Sequence, residues 1–553
     1  MGCEHERIHL ETSSVLIRQL PIESVRPVAG FDICEASAPA PENALVQVPS
    51  GRVVIGKTKE SDYYGWDNEY GRKEADVPSF YAARYSVSNG EFLPFVLEGG
   101  YETQRYWSEE GWAWRSYTRA THPTFWIKLP EGYALRTMAR IVALPMNHPV
   151  EVNYHEAKAF CAWKSEKEGR AYRLPTEEEW YRMVAFAQVP DQPDWAEEPS
   201  GNIALEGYAS TVPVDRHAQG PFYDLVGNVW EWSETPIYPF EGFEVHPWYD
   251  DFTVPTFDGK HNLIKGGSWI STGNEALLSA RYAFRRHFFQ HAGFRYLQSD
   301  RAPEIPQMEN FYESDAAISQ YAEFGWGETY FDVPNYPATC AQLALEYMRG
   351  RPKRRALDVG CAIGRSTFGL AQEFEEVTGV DFTARFIRLA TRMKEEGRIG
   401  YTLPVEGEIT TFKNVSLKEF GLEDTARKVS FWQADACNLK PLYRGYDLIF
   451  AGNLIDRLYA PGRFLADLHT RIERGGLLIL TSPYTWLEEF TPKEEWIGGL
   501  KRNGEPFTTL EGLKERLSPH FRLIDTREIP FVIRETARKY QHSIAQMSVW
   551  ERT

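Results

Sequence analysis

The chain has 553 residues, so two to four domains are expected, and 42% hydrophobic with 25% charged residues is ordinary globular composition. A net charge of −17 excludes a nucleic-acid backbone as a partner. No apolar run approaches a membrane span and no signal-peptide core opens the sequence. The six cysteines (Cys3, Cys34, Cys161, Cys340, Cys361, Cys437) lack C-x-x-C spacing and read as reduced thiols. A cytoplasmic protein with no membrane partner is expected. The 17 Trp predict aromatic-lined surfaces or a loop-rich domain pinned by indoles.

The first predicted element is a helix over 4–20, "EHERIHLETSSVLIRQL", closed by Pro21 and Pro27. His5-Glu6-Arg7-Ile8-His9 spells H-E-x-x-H, the zinc-protease signature. The extended signature needs Gly at 12 and His at 15, where Thr12 and Val15 stand. A spacing of four still puts His5 and His9 on one helix face, able to share a cation. Glu11 lies about 200° around from His9 and is expected to support or pack, not to ligate. "EASAPAPENA" (35–44) reads as a linker.

Residues 45–300 show short strands, many turns and dense Trp, Tyr and Gly, with one clear helix beginning near Asn153. "LPTEEEW" adds a helix start, with Thr176 as cap and Glu179 three residues on. "SDRAPEIPQMENFYESD" (299–315) reads as a second linker. From about 318, helical stretches alternate with the apolar strands "RALDVGC", "EEVTGVDF", "VSFWQAD", "YDLIFAGNL" and "GGLLILTSP", which predicts a parallel α/β sheet.

In "RRALDVGCAIGRSTFGLA" a strand carrying Asp358 runs into a turn where Gly360 and Gly364 allow close backbone approach. The next strand ends in Asp381, placed to suit ribose hydroxyls, and the third ends in Asp435, placed to reach an adenine amino group. These residues together resemble the class I S-adenosylmethionine-dependent methyltransferases, an α/β Rossmann-like fold, over roughly 320–553. The resemblance implies methionine contacts around Asp358, Gly360, Cys361 and Gly364, ribose contacts at Asp381 and adenine contacts at Asp435 and Ala436. Asn453, ending the fourth strand, would lie near the methyl acceptor. DNA-amino methyltransferases carry Asn-Pro-Pro-Tyr there; "AGNLIDR" favours a small-molecule acceptor.

"NHPVEVNYHEAKAFCAW", "YRLPTEEEW", "YDLVGNVWEW", "IKGGSW" and "AGFRY", in this order, resemble the formylglycine-generating-enzyme/sulfatase-modifying-factor family, an α+β fold of C-type-lectin-like class. Trp180, Trp230, Trp232 and Trp269 are expected as core pins. True formylglycine generators use a late cysteine pair, and no cysteine occurs between Cys161 and Cys340, so that activity is not expected.

His5, His9 and Glu11 form H-x-x-x-H-x-E ahead of such a domain, which resembles the nonheme iron sulfoxide synthases of ergothioneine and ovothiol biosynthesis. A methyltransferase domain behind it narrows the resemblance to the 5-histidylcysteine sulfoxide synthases of the ovothiol route. It implies a helix remnant of a DinB-like four-helix bundle at 1–35, a formylglycine-type domain at 36–300 and a methyltransferase domain at 316–553. His5 and His9 would be two of three Fe(II) ligands. The third belongs to an earlier helix of the family, and only four residues precede His5, so three expectations stand: a truncated gene model, a separate chain supplying the rest of the bundle, or an inactive oxidative half. The implied substrates are cysteine, histidine and O2, with S-adenosylmethionine and 5-thiohistidine for the final ring N-methylation. A tyrosine near the iron is expected to steer carbon–sulfur bond formation: Tyr249, with Tyr282 as runner-up. Arg281, Arg285 and Arg286 are expected as a carboxylate clamp, or in part as structural ion pairs. The alternative is a chain active only as a small-molecule methyltransferase, its middle domain a substrate-binding module.

Overall fold

Helix α1 (Gly2–Gln19) matches the predicted segment and ends at Leu20, which turns extended ahead of Pro21. The structure, a computed structural model, describes residues 1–191, 201–241, 243–246, 253, 256–306 and 314–553. Contacts divide the chain into two units: Met1–Glu244 with Thr256–Glu309, and one that takes in Asn310–Thr553. No helix among the described residues is long and apolar enough to cross a membrane.

The first unit has little regular structure, as its turn-rich sequence predicts. Helix α2 (Tyr154–Glu168) starts at a capping box of Asn153 and Glu156 and stops at Gly169, whose φ of 65° ends it in the left-handed region. Helix α3 (Glu177–Ala187) starts at the expected Thr176–Glu179 capping box. One sheet runs in the order Leu45–Val48, Phe80–Ala83, Leu297–Gln298, Tyr172–Arg173. The other holds β1 (Trp230–Pro236), β2 (His261–Lys265), β3 (Tyr282–Arg285) and β4 (Ala292–Gly293) in the order β3-β2-β1-β4. Trp180, Trp230, Trp232 and Trp269 are all buried, so the expectation of core pins holds.

Helix α1 docks on this unit through an unusually polar face. Its buried residues, Glu4, Glu11, Ser14, Val15 and Arg18, fall on one stripe at about 100° per residue. Three donors converge on the Glu11 carboxylate: Trp230 Nε1 at 2.6 Å, Ser271 Oγ at 2.7 Å and Ser268 Oγ at 3.0 Å. Two turns on, Arg18 donates to Glu151 at 2.6 Å and to the Arg136 carbonyl at 2.6 Å, and lies 3.7 Å over the Phe125 ring. His291 bridges the two groups, 2.7 Å from Ser14 Oγ and 3.2 Å from Glu151. Burial would raise the Glu151 pKa, but Arg18 and His291 hold the carboxyl down at about 2.

The second unit is built on a seven-stranded sheet. Helices α4 (Asp315–Trp326) and α5 (Tyr336–Tyr347) precede it. Strand β5 (Arg355–Val359) leads into helix α6 (Arg365–Leu370); β6 (Glu376–Asp381) leads into α7 (Ala384–Glu396). Strands β7 (Val429–Gln433), β8 (Tyr446–Gly452) and β9 (Ile472–Ser482) follow, then β10 (Phe521–Arg534) and β11 (Tyr540–Arg552). The order is β7-β6-β5-β8-β9-β11-β10, the first five strands parallel and the last two antiparallel. The expected all-parallel sheet is therefore corrected to a mixed one. The physical reason is visible in β10, whose residues are mostly exposed or half-buried: an edge strand solvated on one side lacks the apolar run that marks the buried strands.

Replacing Glu11 by Ala leaves three buried donors without their acceptor, each costing about 1–3 kcal/mol. The urea transition of the first unit, followed by tryptophan fluorescence, is expected to lose about 3 kcal/mol or more; a change under about 0.5 kcal/mol would mean that α1 is not docked.

Candidate functional site

On α1 the imidazoles of His5 and His9 face one another, with Nε2 atoms 2.8 Å apart and ring centroids 4.5 Å apart. The i,i+4 spacing thus brings two imidazole nitrogens to one point, as expected. They lie roughly 125–165° around the helix from the docked stripe, beside the exposed Leu10, Leu16, Ile17 and Leu20. Among the described residues no third His, Cys, Asp or Glu joins them in a metal-holding group. Glu11 is a packing residue, as its angular offset predicts: its carboxylate is taken by Trp230, Ser268 and Ser271.

The foot of α1 rests on a polar layer. Glu4 Oε2 accepts from the Asn274 backbone N–H at 3.1 Å, and a Cβ on Gly273, whose φ is 62°, would strike the Arg7 guanidinium. Glu275 is pushed well above the usual carboxylate range by burial and by neighbouring Glu11. Tyr282 is buried; its hydroxyl accepts from Trp66 Nε1 at 3.1 Å, and its ring meets Trp230 edge-on at 5.5 Å. Burial, then Glu275 and Glu69, raises its pKa well above the phenol value, so it holds its proton. Tyr249, the first choice for the redox tyrosine, lies outside the described residues.

The expected arginine clamp is not assembled. Arg281 is 2% exposed and bonds Glu177 through Nε at 3.0 Å and Nη2 at 3.1 Å, with Nη1 on the Asn68 and Tyr238 carbonyls. It is a core ion pair, because a guanidinium buried this deeply needs its own carboxylate. Arg286 spends its donors on Asn262, Glu110 and the Gly259 carbonyl. Arg285 stands 3.7 Å from Asp258 and keeps a half-exposed side chain.

In the second unit the turn after β5 has the shape a nucleotide-type cofactor needs. Gly360 and Gly364 take φ of 75° and 80°; a Cβ at Gly364 would come within 2.7 Å of the Phe431 ring, and one at Gly360 within 3.1 Å of Leu454. Asp358 accepts from Ser366 and Thr367 hydroxyls, both at 2.7 Å, through Oδ2, while its Oδ1 is buried without a partner. Burial pushes its pKa up to about 6. Burial also raises the Cys361 thiol well above its usual value, so it stays protonated. Asp381 accepts from the Ala362 and Thr383 N–H groups at 2.9 and 2.8 Å, tying the turn to the end of β6. Asp435 caps the short turn Ala436–Asn438, accepting from Cys437 N at 2.8 Å and from the Tyr459 hydroxyl at 2.6 Å. The strand-order reversal between β5 and β8 puts these groups at a topological switch point.

Asn453, just past β8, has a φ of 50°, and its Oδ1 lies 2.7 Å from the Tyr336 hydroxyl, which is also 2.7 Å from Thr481 Oγ1. Sequence reading missed Tyr336 and Thr481. The Asn335-Tyr336-Pro337 helix start was a usable signal for α5, but nothing local ties it to a strand end some 117 residues away.

Two family models match: a sulfatase-modifying factor enzyme 1-like domain over residues 31–299 and a methyltransferase domain over 351–514. Hercynine oxygenase of Mycolicibacterium smegmatis is 32% identical over 48% of this chain and 63% of its own length. Hercynine oxygenase of Mycolicibacterium thermoresistibile is 32% identical over 53% of this chain and 67% of its own. Ergothioneine biosynthesis protein 1 of Schizosaccharomyces pombe is 27% identical over 53% and 37%. The chain thus spans about two thirds or less of the length of these curated relatives. It belongs to the hercynine oxygenase family, built on a sulfatase-modifying-factor-type domain, and carries a methyltransferase domain behind that domain.

Proposed function

We propose that the chain is a bifunctional enzyme of ovothiol-type biosynthesis. Its first unit takes part in an Fe(II)- and O2-dependent coupling of cysteine to histidine that yields 5-histidylcysteine sulfoxide. Its second unit N-methylates the imidazole of 5-thiohistidine with S-adenosylmethionine. The observation that carries this reading is the convergence of His5 and His9 Nε2 at 2.8 Å, on a helix anchored to a hercynine-oxygenase-type domain.

Two imidazoles suit Fe(II), and His5 and His9 would hold it. Bound there, iron would supply O2 activation and a seat for a thiolate. The protein's own part is positional: Glu11 and Arg18 fix the helix that presents the pair. The exposed apolar side of α1 beside the pair is where a further ligand-bearing segment, in this chain or another, would pack. Tyr249 and Tyr282 remain the candidates for the proton and electron donor.

In the second unit, the glycine cradle and the unpaired Asp358 Oδ1 fit the amino-acid end of S-adenosylmethionine. Asp381 keeps lone pairs for the ribose hydroxyls beyond its two backbone bonds, and Asp435 with Ala436 borders the adenine side. The cofactor supplies an electrophilic methyl group. Tyr336, Asn453 and Thr481 hold the acceptor side.

A second reading, methyl transfer alone with the first unit as a binding module, is favoured by the lack of a third clustered ligand among the described residues. Iron-reconstituted protein given cysteine, histidine and air separates the two. The sulfoxide is expected by mass spectrometry, and H9A is expected to lower it by more than the roughly 10- to 100-fold typical of losing an outer-shell partner. Retained methyl transfer to 5-thiohistidine without bound iron or oxygen uptake would contradict the oxidative half.

Asp358 gives a pH signature. Its raised pKa means that the folded unit holds an extra proton below about 6, stabilising the ligand-free unit at acid pH and losing that contribution as pH rises. Asp381 and the thiols of Cys361 and Cys340 are the titratable neighbours, and burial raises all three. An ammonium ligand needs the carboxylate, so calorimetric affinity for S-adenosylmethionine is expected to rise with pH to a plateau above about 6. D358N is expected to bind more weakly and flatten the profile; an unchanged profile would remove Asp358 from the site.

A further inference from the structure

The second unit has a small pocket lined by the end of α4, the connection to α5 and the far end of β10. Tyr336 forms part of its wall, and the hydroxyl of that residue reaches Asn453 and Thr481 at the carboxyl ends of β8 and β9. Ligands of open α/β sheets bind on this side.

The charges lining the cavity are unevenly partnered. Glu323 is buried and saturated: it accepts from Tyr401 at 2.7 Å, from Lys413 at 3.0 Å and from Tyr330. Glu328 is exposed and meets Lys413 at 2.9 Å through Oε1. Arg534, half-buried at the end of β10, has only long contacts to neutral oxygens: the Thr536 carbonyl at 3.2 Å, the Pro404 carbonyl at 3.4 Å and the Tyr330 hydroxyl at 3.5 Å. Among the described residues no carboxylate lies within ion-pair distance of it. Two carboxylates and two cations already balance here, so a ligand of either net sign would upset the balance and a zwitterion would not. A guanidinium fork is the group best shaped for a carboxylate.

We propose that this cavity seats the head group of an α-amino-acid methyl acceptor, with Arg534 binding its carboxylate and Glu328 its ammonium. The side chain then extends past Tyr336 toward Asn453. The assignment rests on the methyltransferase reading of this unit, and it makes Arg534 the residue that selects amino acids over the corresponding amines.

The test is calorimetric titration of the full chain, saturated with S-adenosylhomocysteine, with 5-thiohistidine and with its decarboxylated analogue 5-thiohistamine. R534Q is expected to weaken 5-thiohistidine binding by roughly 10- to 100-fold, the loss of a charge-assisted pair, and to change thiohistamine binding by less than about 3-fold. R534K, which keeps the charge without the fork, is expected to fall between and guards against a fold defect in R534Q. R538Q, on the same hairpin with an exposed side chain 3.3 Å from Glu406, is expected to bind as the wild type does. Equal losses for both ligands, no loss for either, or no binding of 5-thiohistidine to the wild type would overturn the assignment. Methyl transfer is measured separately on the same variants, with S-adenosylmethionine in place of S-adenosylhomocysteine. Arg534-dependent binding without transfer contradicts the methyltransferase reading and leaves the cavity assignment standing. Transfer with Arg534-independent binding does the reverse.

Discussion

One buried carboxylate organises the first unit's candidate site. Glu11 takes an indole N–H and two serine hydroxyls within 3.0 Å, and these come from β1 and from the "GGSWIS" turn after β2. A carboxylate removed from water must be fully hydrogen-bonded to be tolerated. The arrangement therefore fixes both the depth and the rotation of α1. Arg18, one face-repeat further on, does the same with Glu151 and His291. The rotation so fixed turns His5 and His9 away from the docked face, while their i,i+4 spacing brings them to one another.

The second unit depends on a different constraint, that of backbone at a switch point. Gly364 packs where any Cβ would enter the Phe431 ring, and Asp381 ties the turn to β6 through Ala362 N. The antiparallel β10–β11 pair then extends past the end of β9, because β11 continues toward its N-terminus beyond the last β9 pairing at Ser482–Gln546. That extension carries Arg534 to the rim of the cavity. The edge strands thus set the acceptor side, while the parallel core sets the cofactor side.

Much of this was legible in the sequence, and the unread parts share a cause. The turn around Gly360, the acidic ends at Asp381 and Asp435, the histidine pair, the Thr176 cap and the buried tryptophans are local patterns with local reasons. Arg281 stays open in the sequence between a carboxylate clamp and a structural ion pair, because a basic cluster in one dimension says nothing about which arginine faces Glu177, 104 residues earlier. Tyr336 and Arg534 were passed over for the same reason: their roles come from strand ends and hairpins joined only by the fold. The edge strands escaped because solvent-facing alternation is a weak signal beside a buried apolar run.

The central claim is that α1 is an anchored part of the first unit and not a loose helix end. Hydrogen–deuterium exchange of the Glu11–Gln19 amides measures this without recourse to activity. Protection on the same timescale as Trp230–Pro236 in β1 is predicted, since both would open only with the unit as a whole. Exchange as fast as in a free peptide, with β1 still protected, would contradict it.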